Sequence, residues 1–148
     1  MFRIQPCQTA EQAGWLPLRQ ALWPHTSEQE HRGEIDAQMR EPQRYINFIA
    51  YDAQEQPIGL AEASLRRDYV NGTDSSPVVF LEGLYVAPQQ RRQGVAARLI
   101  EQIAQWGRDQ GCVEMASDTD VDNLPSQGTH KALGFKETER VVFFKRSL

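Results

Sequence analysis

At 148 residues the chain fits one ordinary domain, 1–148, and is long enough to bury a real core. Its 40% hydrophobic and 24% charged residues describe a globular chain and exclude a disordered one. A formal net charge of -4 argues against a general nucleic-acid binder, whose footprint is a basic face, and is compatible with a cationic substrate.

In chain order, Met1-Phe2-Arg3-Ile4-Gln5-Pro6 has no long apolar region of the signal-peptide kind, and Phe2 to Gln5 alternates as a first strand would. Thr9-Ala10-Glu11-Gln12 reads as a capping box opening a helix through Trp15, Leu18 and Leu22, stopped by Pro24. Trp23 and His25 then begin a loop. A second capping box, Ser27-Glu28-Gln29-Glu30, introduces a short helix through Ile35 and Met39 that ends before Pro42. Tyr45 to Tyr51 and Ile58 to Leu65 read as two strands, followed by a polar loop from Arg66 to Pro77. The nearly continuous apolar run Val78 to Val86 belongs in the middle of a sheet, and Glu82-Gly83 interrupts it where a bulge is expected. A helix is expected from Gly94 to about Gln110, a strand over Val113 to Asp118, a helix over Ser126 to Leu133 and a last strand over Val141 to Phe144. The resulting order, β-α-α-β-β-β-α-β-α-β, is a mixed α/β domain. No run approaches membrane-spanning length, so a cytoplasmic protein with no membrane partner is expected. Cys7 and Cys112 lack C-x-x-C and zinc-ligand spacing and read as two reduced thiols with no metal, a disulfide or a catalytic thiol being the lesser alternatives.

The stretch with the clearest chemistry runs from Leu81 to Leu99: a buried strand, a short turn, then Arg91-Arg92-Gln93-Gly94-Val95-Ala96 opening a helix. The first helical turn leaves backbone N–H groups without partners and carries partial positive charge. Gly94 and Ala96 let a pyrophosphate approach the backbone, and Arg91 and Arg92 can add charge-assisted contacts. The plainer alternative is a strand-to-helix turn with solvated arginines and a packing glycine. Neither a Walker loop nor a G-x-G-x-x-G fingerprint is present.

Arg91-x-x-Gly94-x-Ala96 after such a strand resembles motif A of the GNAT acetyltransferases. The resemblance implies the GNAT fold: a central mixed, mostly antiparallel sheet flanked by helices, with a splayed cofactor cleft. It also implies that Arg91 to Ala96 cradles the pyrophosphate of acetyl-coenzyme A and that Leu84-Tyr85-Val86 pairs with its pantetheine arm. Asn123 and the segment from His130 to Phe135, containing Leu133-Gly134-Phe135, match the family's second cofactor motif. His130 stands where many members carry a tyrosine near the departing sulfur. An imidazole, with a reference pKa of about 6.5 against about 8.5 for a thiol, can protonate a thiolate; the alternative is a packed or solvated helix residue.

Further segments, among them Leu22-Trp23-Pro24, Asp68 to Gly72, Asp74 to Gly83, Met115 to Thr119 and Glu137 to Val141, resemble aminoglycoside 6'-N-acetyltransferases of the chromosomal type over nearly the whole chain. That resemblance implies an aminoglycoside pocket lined by Trp23, Tyr69, Glu82, Asp118 and Glu139, with His25 beside Trp23, and a homodimer. The residues support it independently. Glu82 interrupts an apolar strand, where a carboxylate needs a protein partner or a cationic ligand; an internally hydrogen-bonded Glu82 is the bland alternative. Asp118, Asp120 and Asp122 cluster after the next strand. Asp118 is the first choice for general base, Glu82 the second, and His130 or solvent the proton donor to the thiolate. Acetylation of another amine, such as a polyamine, and a non-catalytic acyl-coenzyme A sensor remain open. The strand expected over Val141 to Phe144 either completes the sheet or pairs with another chain.

Overall fold

Period-two alternation in successive segments builds a sheet whose strands lie side by side in chain order. The computed structural model describes residues 1–148. It places β1 (Phe2–Pro6), β2 (Tyr45–Asp52), β3 (Pro57–Arg66), β4 (Val78–Val86) and β5 (Met115–Ser117) in the order β1-β2-β3-β4-β5. The first four pair antiparallel and β5 joins β4 in parallel. That parallel step needs a crossover, which α3 (Val95–Asp109) supplies. The sheet is therefore mixed and mostly antiparallel, as the GNAT resemblance implies.

Strand β3 shows how the two faces are divided. Ala61, Ala63 and Leu65 point into the larger core with Val95, Leu99 and Ile103 of α3. Leu60 packs on the opposite face with Trp15 and Leu18 of α1 (Trp15–Leu22) and Ile35 of α2 (Glu28–Met39). Glu62 shares the Leu60 face by alternation, which puts a carboxylate between the sheet and the α1–α2 pair. The last helix, α4 (Leu124–Ala132), follows β5. No helix is long and apolar enough to cross a membrane.

Four sequence expectations shift. The first helix begins at Trp15, capped by Gly14 in the left-handed region (φ 85°), and not at Thr9. Turns closed by Gln12 N–H to Thr9 O and by Trp15 N–H to Gln12 O precede it. Pro17 explains the later start, because its ring would clash with the carbonyl of residue 13 in a helix already under way; a proline is tolerated only in the first turn. Strand β5 is shorter than expected, and α4 starts two residues earlier, behind Asn123. The strand expected over Val141 to Phe144 does not form within this chain: residues 135–148 have no regular structure, and Phe143 and Phe144 are 85% and 91% exposed. A strand needs a ladder partner. The segment is anchored by Thr138, packed on Gly72 of the β3–β4 loop, and pairs with no strand of its own sheet. Ser27 caps α2 as expected, its hydroxyl accepting the Glu30 N–H at 3.1 Å, but the expected box is half formed: Glu30 Oε1 accepts from the Ser27 hydroxyl at 3.2 Å and not from the Ser27 N–H.

Candidate active site

The β4–β5 pairing decides where a ligand can enter. It ends at Leu81↔Ser117, while β4 continues to Val86, so five residues of β4 have no neighbour on that side. The strands splay here and expose the backbone of Leu84, Tyr85 and Val86, the segment matched to pantetheine binding. At the same level the β3–β4 register slips: Glu62 faces Gly83 and Ala63 faces Leu81. Glu82 is therefore the extra residue of a β-bulge, as the interruption at Glu82-Gly83 led us to expect. A bulge re-aims side chains, and Glu82 turns toward the α1–α2 face. There Ser64 Oγ donates to it at 2.5 Å and Arg66 Nη2 donates to both its oxygens at 3.0 and 2.9 Å.

Beyond β4, the chain turns through Pro88–Gln90 into the start of α3. Arg91 Nε donates to Val86 O at 2.9 Å, bracing the turn. Arg92 and Gly94 both take positive φ (64° and 83°), and a Cβ on Gly94 would meet nothing in the protein. The left-handed turn aims successive N–H groups outward, and the space above Gly94 is open to a ligand. The first intrahelical acceptor, Gly94 O, serves Arg98, so the N–H groups of the first turn have no helical partner. No acidic residue lies in that turn. Open space and unpartnered N–H donors of this kind suit an anion such as a pyrophosphate, while the Arg91 Nε expected to face it is bonded to Val86 O.

On the α1–α2 face lies a cleft of about 1030 Å³. Trp23, Tyr69 and Glu82, three of the residues named for the substrate pocket, line it together. Trp23 is held tightly: its ring covers Gly83, where any Cβ would come within 2.6 Å of it, and Arg19 lies 4.9 Å from the ring centroid on the protein side. His25 is exposed and Thr26 lines the cleft in its place. Asp118 is exposed one residue beyond β5 and Glu139 is exposed in the C-terminal segment; neither belongs to the cleft wall. In sequence register Asp118 and Glu82 each stand one residue beyond the last β4–β5 pair, Leu81↔Ser117, on adjoining strands.

Beneath the cleft is a polar network that the sequence reading missed. Arg19 and Glu62 are each 2% exposed and His31 is fully buried. Arg19 Nη1 donates to Glu62 at 2.5 Å, Arg19 Nε donates to His31 Nδ1 at 3.1 Å, and Arg19 Nη2 pairs with Glu34. Trp15 Nε1 and Gln38 Nε2 also donate to Glu62, at 2.8 and 3.3 Å. Since His31 Nδ1 accepts from arginine, Nε2 carries the ring proton and donates to Trp23 O at 3.2 Å. The signal was available: Glu62 interrupts an apolar strand just as Glu82 does.

His130 lies on α4 with Nδ1 2.8 Å from Ser126 O and Nε2 2.8 Å from Ser117 Oγ. A carbonyl only accepts, so Nδ1 donates, and in the neutral ring Nε2 accepts the Ser117 hydroxyl. Ser117 is the last residue paired to β4, which brings this ring to the apex of the splay. Asn123 caps α4, its Oδ1 accepting the Ser126 N–H at 3.1 Å, so its carbonyl oxygen is already used. Cys7 and Cys112 are both free. Burial raises both thiols above their ordinary range; the Glu62 charge adds to the rise at Cys7, while Arg67 opposes it at Cys112. Neither is an activated nucleophile. No three His, Cys, Asp or Glu side chains are grouped to hold a metal ion.

A bulge, a strand splay and an unobstructed helix N-terminus thus follow one another along β4 and the turn after it, and residues 12–135 match the acetyltransferase (GNAT) family. The chain belongs to the GNAT acetyltransferases. It is 53% identical over 134 residues to an aminoglycoside N(6')-acetyltransferase type 1 from Serratia marcescens, covering 90% of this chain and 91% of the relative. A type 1 enzyme from Acinetobacter genomosp. 13 is 46% identical, with 99% of each chain covered. Among solved structures, the aminoglycoside 6'-N-acetyltransferase AAC(6')-Ih from Acinetobacter baumannii superposes with a TM-score of 0.95 at 42% identity, covering 100% of this chain and 99% of that one. AAC(6')-Iy in complex with the bisubstrate analogue CoA-S-monomethyl-acetylneamine gives 0.93 at 44% identity, with 100% and 99% covered. In this GNAT chain acetyl-coenzyme A is therefore the co-substrate, and the Gly94 turn and the open edge of β4 are the elements that fit it.

Proposed function

We propose that this protein transfers the acetyl group of acetyl-coenzyme A to the 6'-amino group of aminoglycosides and so confers resistance to these antibiotics. The observation that carries the reading is the bulge-borne Glu82, in a cleft walled by Trp23 and Tyr69 where β4 leaves β5. Flat amphipathic rings and carboxylates suit a hydroxylated polycation with little apolar surface. The named relatives above, similar over nearly their full length, support the same substrate class.

The chemistry is direct transfer with no covalent enzyme intermediate, in keeping with thiols that stay protonated. A 6'-ammonium must lose its proton before it can attack. Asp118 takes that proton, directly or through one water: it is exposed beside the splay and enters none of the chain's ion pairs. Glu82, with both oxygens already bonded, is the second choice and serves chiefly to hold an ammonium. The free amine attacks the thioester carbonyl, and a backbone N–H of Leu84 to Val86 stabilises the oxyanion, an interaction worth about 3 kcal/mol in other enzymes. Solvent returns a proton to the thiolate, or His130 does after its ring has taken a second proton at Nε2, the nitrogen that faces Ser117 at the apex.

A homodimer belongs to the same proposal. Val141-Val142-Phe143-Phe144 is exposed and unpaired, and β5 has a neighbour on one edge only. Pairing the segment with a second copy satisfies its backbone and buries its phenyl rings. Sedimentation should give twice the chain mass, and removal of residues 141–148 should abolish that species. A cytoplasmic location follows from the intracellular co-substrate.

The deciding assay follows free thiol release from acetyl-coenzyme A on adding tobramycin or kanamycin, with spermidine and a 6'-hydroxyl aminoglycoside as controls. Release with the 6'-amino drugs alone is expected; release with spermidine alone would move the substrate to polyamines. Asp118→Asn should lower turnover by about 100-fold or more. Unchanged turnover would remove Asp118 from the mechanism.

A further inference from the structure

Carboxylates were expected to dominate the cleft, yet its lining carries four arginines against five acidic residues. Arg66 is the one that matters for Glu82. It is the last residue of β3, on the same face as Glu62 and Ser64, and its guanidinium carbon lies 3.5 Å from the centroid of the Phe80 ring. A single nitrogen, Nη2, reaches both Glu82 oxygens, while Nε and Nη1 make no hydrogen bond. This is not the two-nitrogen fork that makes arginine–carboxylate pairs strong. The partners are 40% and 33% exposed, within the range where ion pairs are easily exchanged. Glu82 does not need Arg66 to keep its direction, because the bulge sets its backbone and Ser64 Oγ holds one oxygen at 2.5 Å.

The geometry points to Arg66 as an internal stand-in for the substrate's ammonium: it occupies Glu82 in the free enzyme and yields that carboxylate when a polycation binds. An alkylammonium nitrogen is the same kind of donor as Nη2 and can take its place at the same distance. The guanidinium, released, stays over Phe80 or swings into solvent. Arg66 thereby sets a threshold. A ligand must offer a cation that bonds Glu82 better than the guanidinium does, so neutral sugars of similar shape leave the pair closed and polyamines and aminosugars open it. The aminoglycoside reading supplies the ligand here, but the exchange at Glu82 is independent of whether acetyl transfer follows.

The test is calorimetric binding of tobramycin, and separately of spermidine, to the full chain and to Arg66→Met, which keeps a long unbranched side chain beside Phe80 without the charge. Tobramycin should bind Arg66→Met about five-fold more tightly, the effect of freeing a carboxylate from an exposed ion pair. In an Glu82→Gln background the same substitution should have no effect, because there is no carboxylate left to compete for. Arg66→Gln gives the same comparison if Arg66→Met does not fold, and acetyl-coenzyme A binding reports that the fold is kept. Equal or weaker tobramycin binding by the charge-neutral variants would assign Arg66 a purely structural bracing of Glu82 and overturn the inference. So would a gain that persists in Glu82→Gln, or a failure of both polycations to bind either protein. Drug that binds and shows the gain but is not acetylated would sink the proposed function and leave this inference standing.

Discussion

The start of α3 and the β3–β4 face beneath α1 and α2 both present groups for a charged ligand, but they are built differently. At α3 the ligand-facing groups are backbone N–H donors, aimed by Arg92 and Gly94 at positive φ and contributed by a handful of consecutive residues. On the other face they are side chains from four separate elements: Trp23 after α1, Ser64 and Arg66 on β3, Tyr69 in the following loop and Glu82 on β4. In the proposed function the first design serves what every acetyl-coenzyme A presents, a pyrophosphate and an amide-bearing arm. The second serves one class of acceptor, and its specificity could change without touching the first. Its cost is a foundation: the side chains rest on the buried Arg19–Glu62–His31 network, which the backbone site does without.

Arg19→Met separates the two halves most sharply. It leaves Glu62 buried without its guanidinium, and losing one partner of a buried pair costs about 3–5 kcal/mol. Urea unfolding should register a loss of that size. Surviving folded protein should keep acetyl-coenzyme A affinity while its aminoglycoside KM rises, because Trp23 has lost the cation beneath its ring. Equal damage to both affinities would mean the halves are not independent.

Gly94→Val probes the other half. The glycine sits at φ 83° with open space at its Cβ position, so a branched side chain there incurs about 1–3 kcal/mol of backbone strain and fills the ligand's approach. The KM for acetyl-coenzyme A should rise by about ten-fold or more while tobramycin binding to the free protein holds. A variant that loses drug affinity instead would contradict the division.

The smallest effect is expected where the substrate half is tied to β5. The Ser75 hydroxyl and the Asp74 N–H donate to Glu114 and hold its carboxyl below the ordinary range. A carboxyl with a depressed folded-state value stabilises the fold above its unfolded value, about 4.3, and loses that contribution as pH falls through the folded value. Glu114→Gln should therefore melt slightly below the unsubstituted protein at pH 7, and the gap should close as pH drops below about 4. A constant gap across pH would show that the bond is not charge-dependent.

Much of this molecule could be read from local pattern because the forces concerned are local. The strand from Val78 to Val86, its interruption at Glu82-Gly83, the Ser27 cap and the glycine turn before α3 each depend on neighbours within a few residues. Pro17 was equally local; its effect on the start of α1 was legible and overlooked. Other features depend on partners far away in the chain. Arg19 and Glu62 are 43 residues apart, and nothing in either segment says that an arginine on a helix will be buried against a carboxylate on a strand. Arg66 could be placed at the end of a strand, but that it occupies Glu82 follows from the β3–β4 register. Val141 to Phe144 has the pattern of a strand, and pattern alone could not decide whether an edge exists to receive it. The sequence by itself determined the type of every element except the expected last strand, and marked the bulge and the glycine turn before α3, because backbone propensity and side-chain period act over one or two turns. Only the tertiary structure decided which charges are paired, which are buried and which face the cleft, because electrostatic energy depends on three-dimensional separation and on access to water.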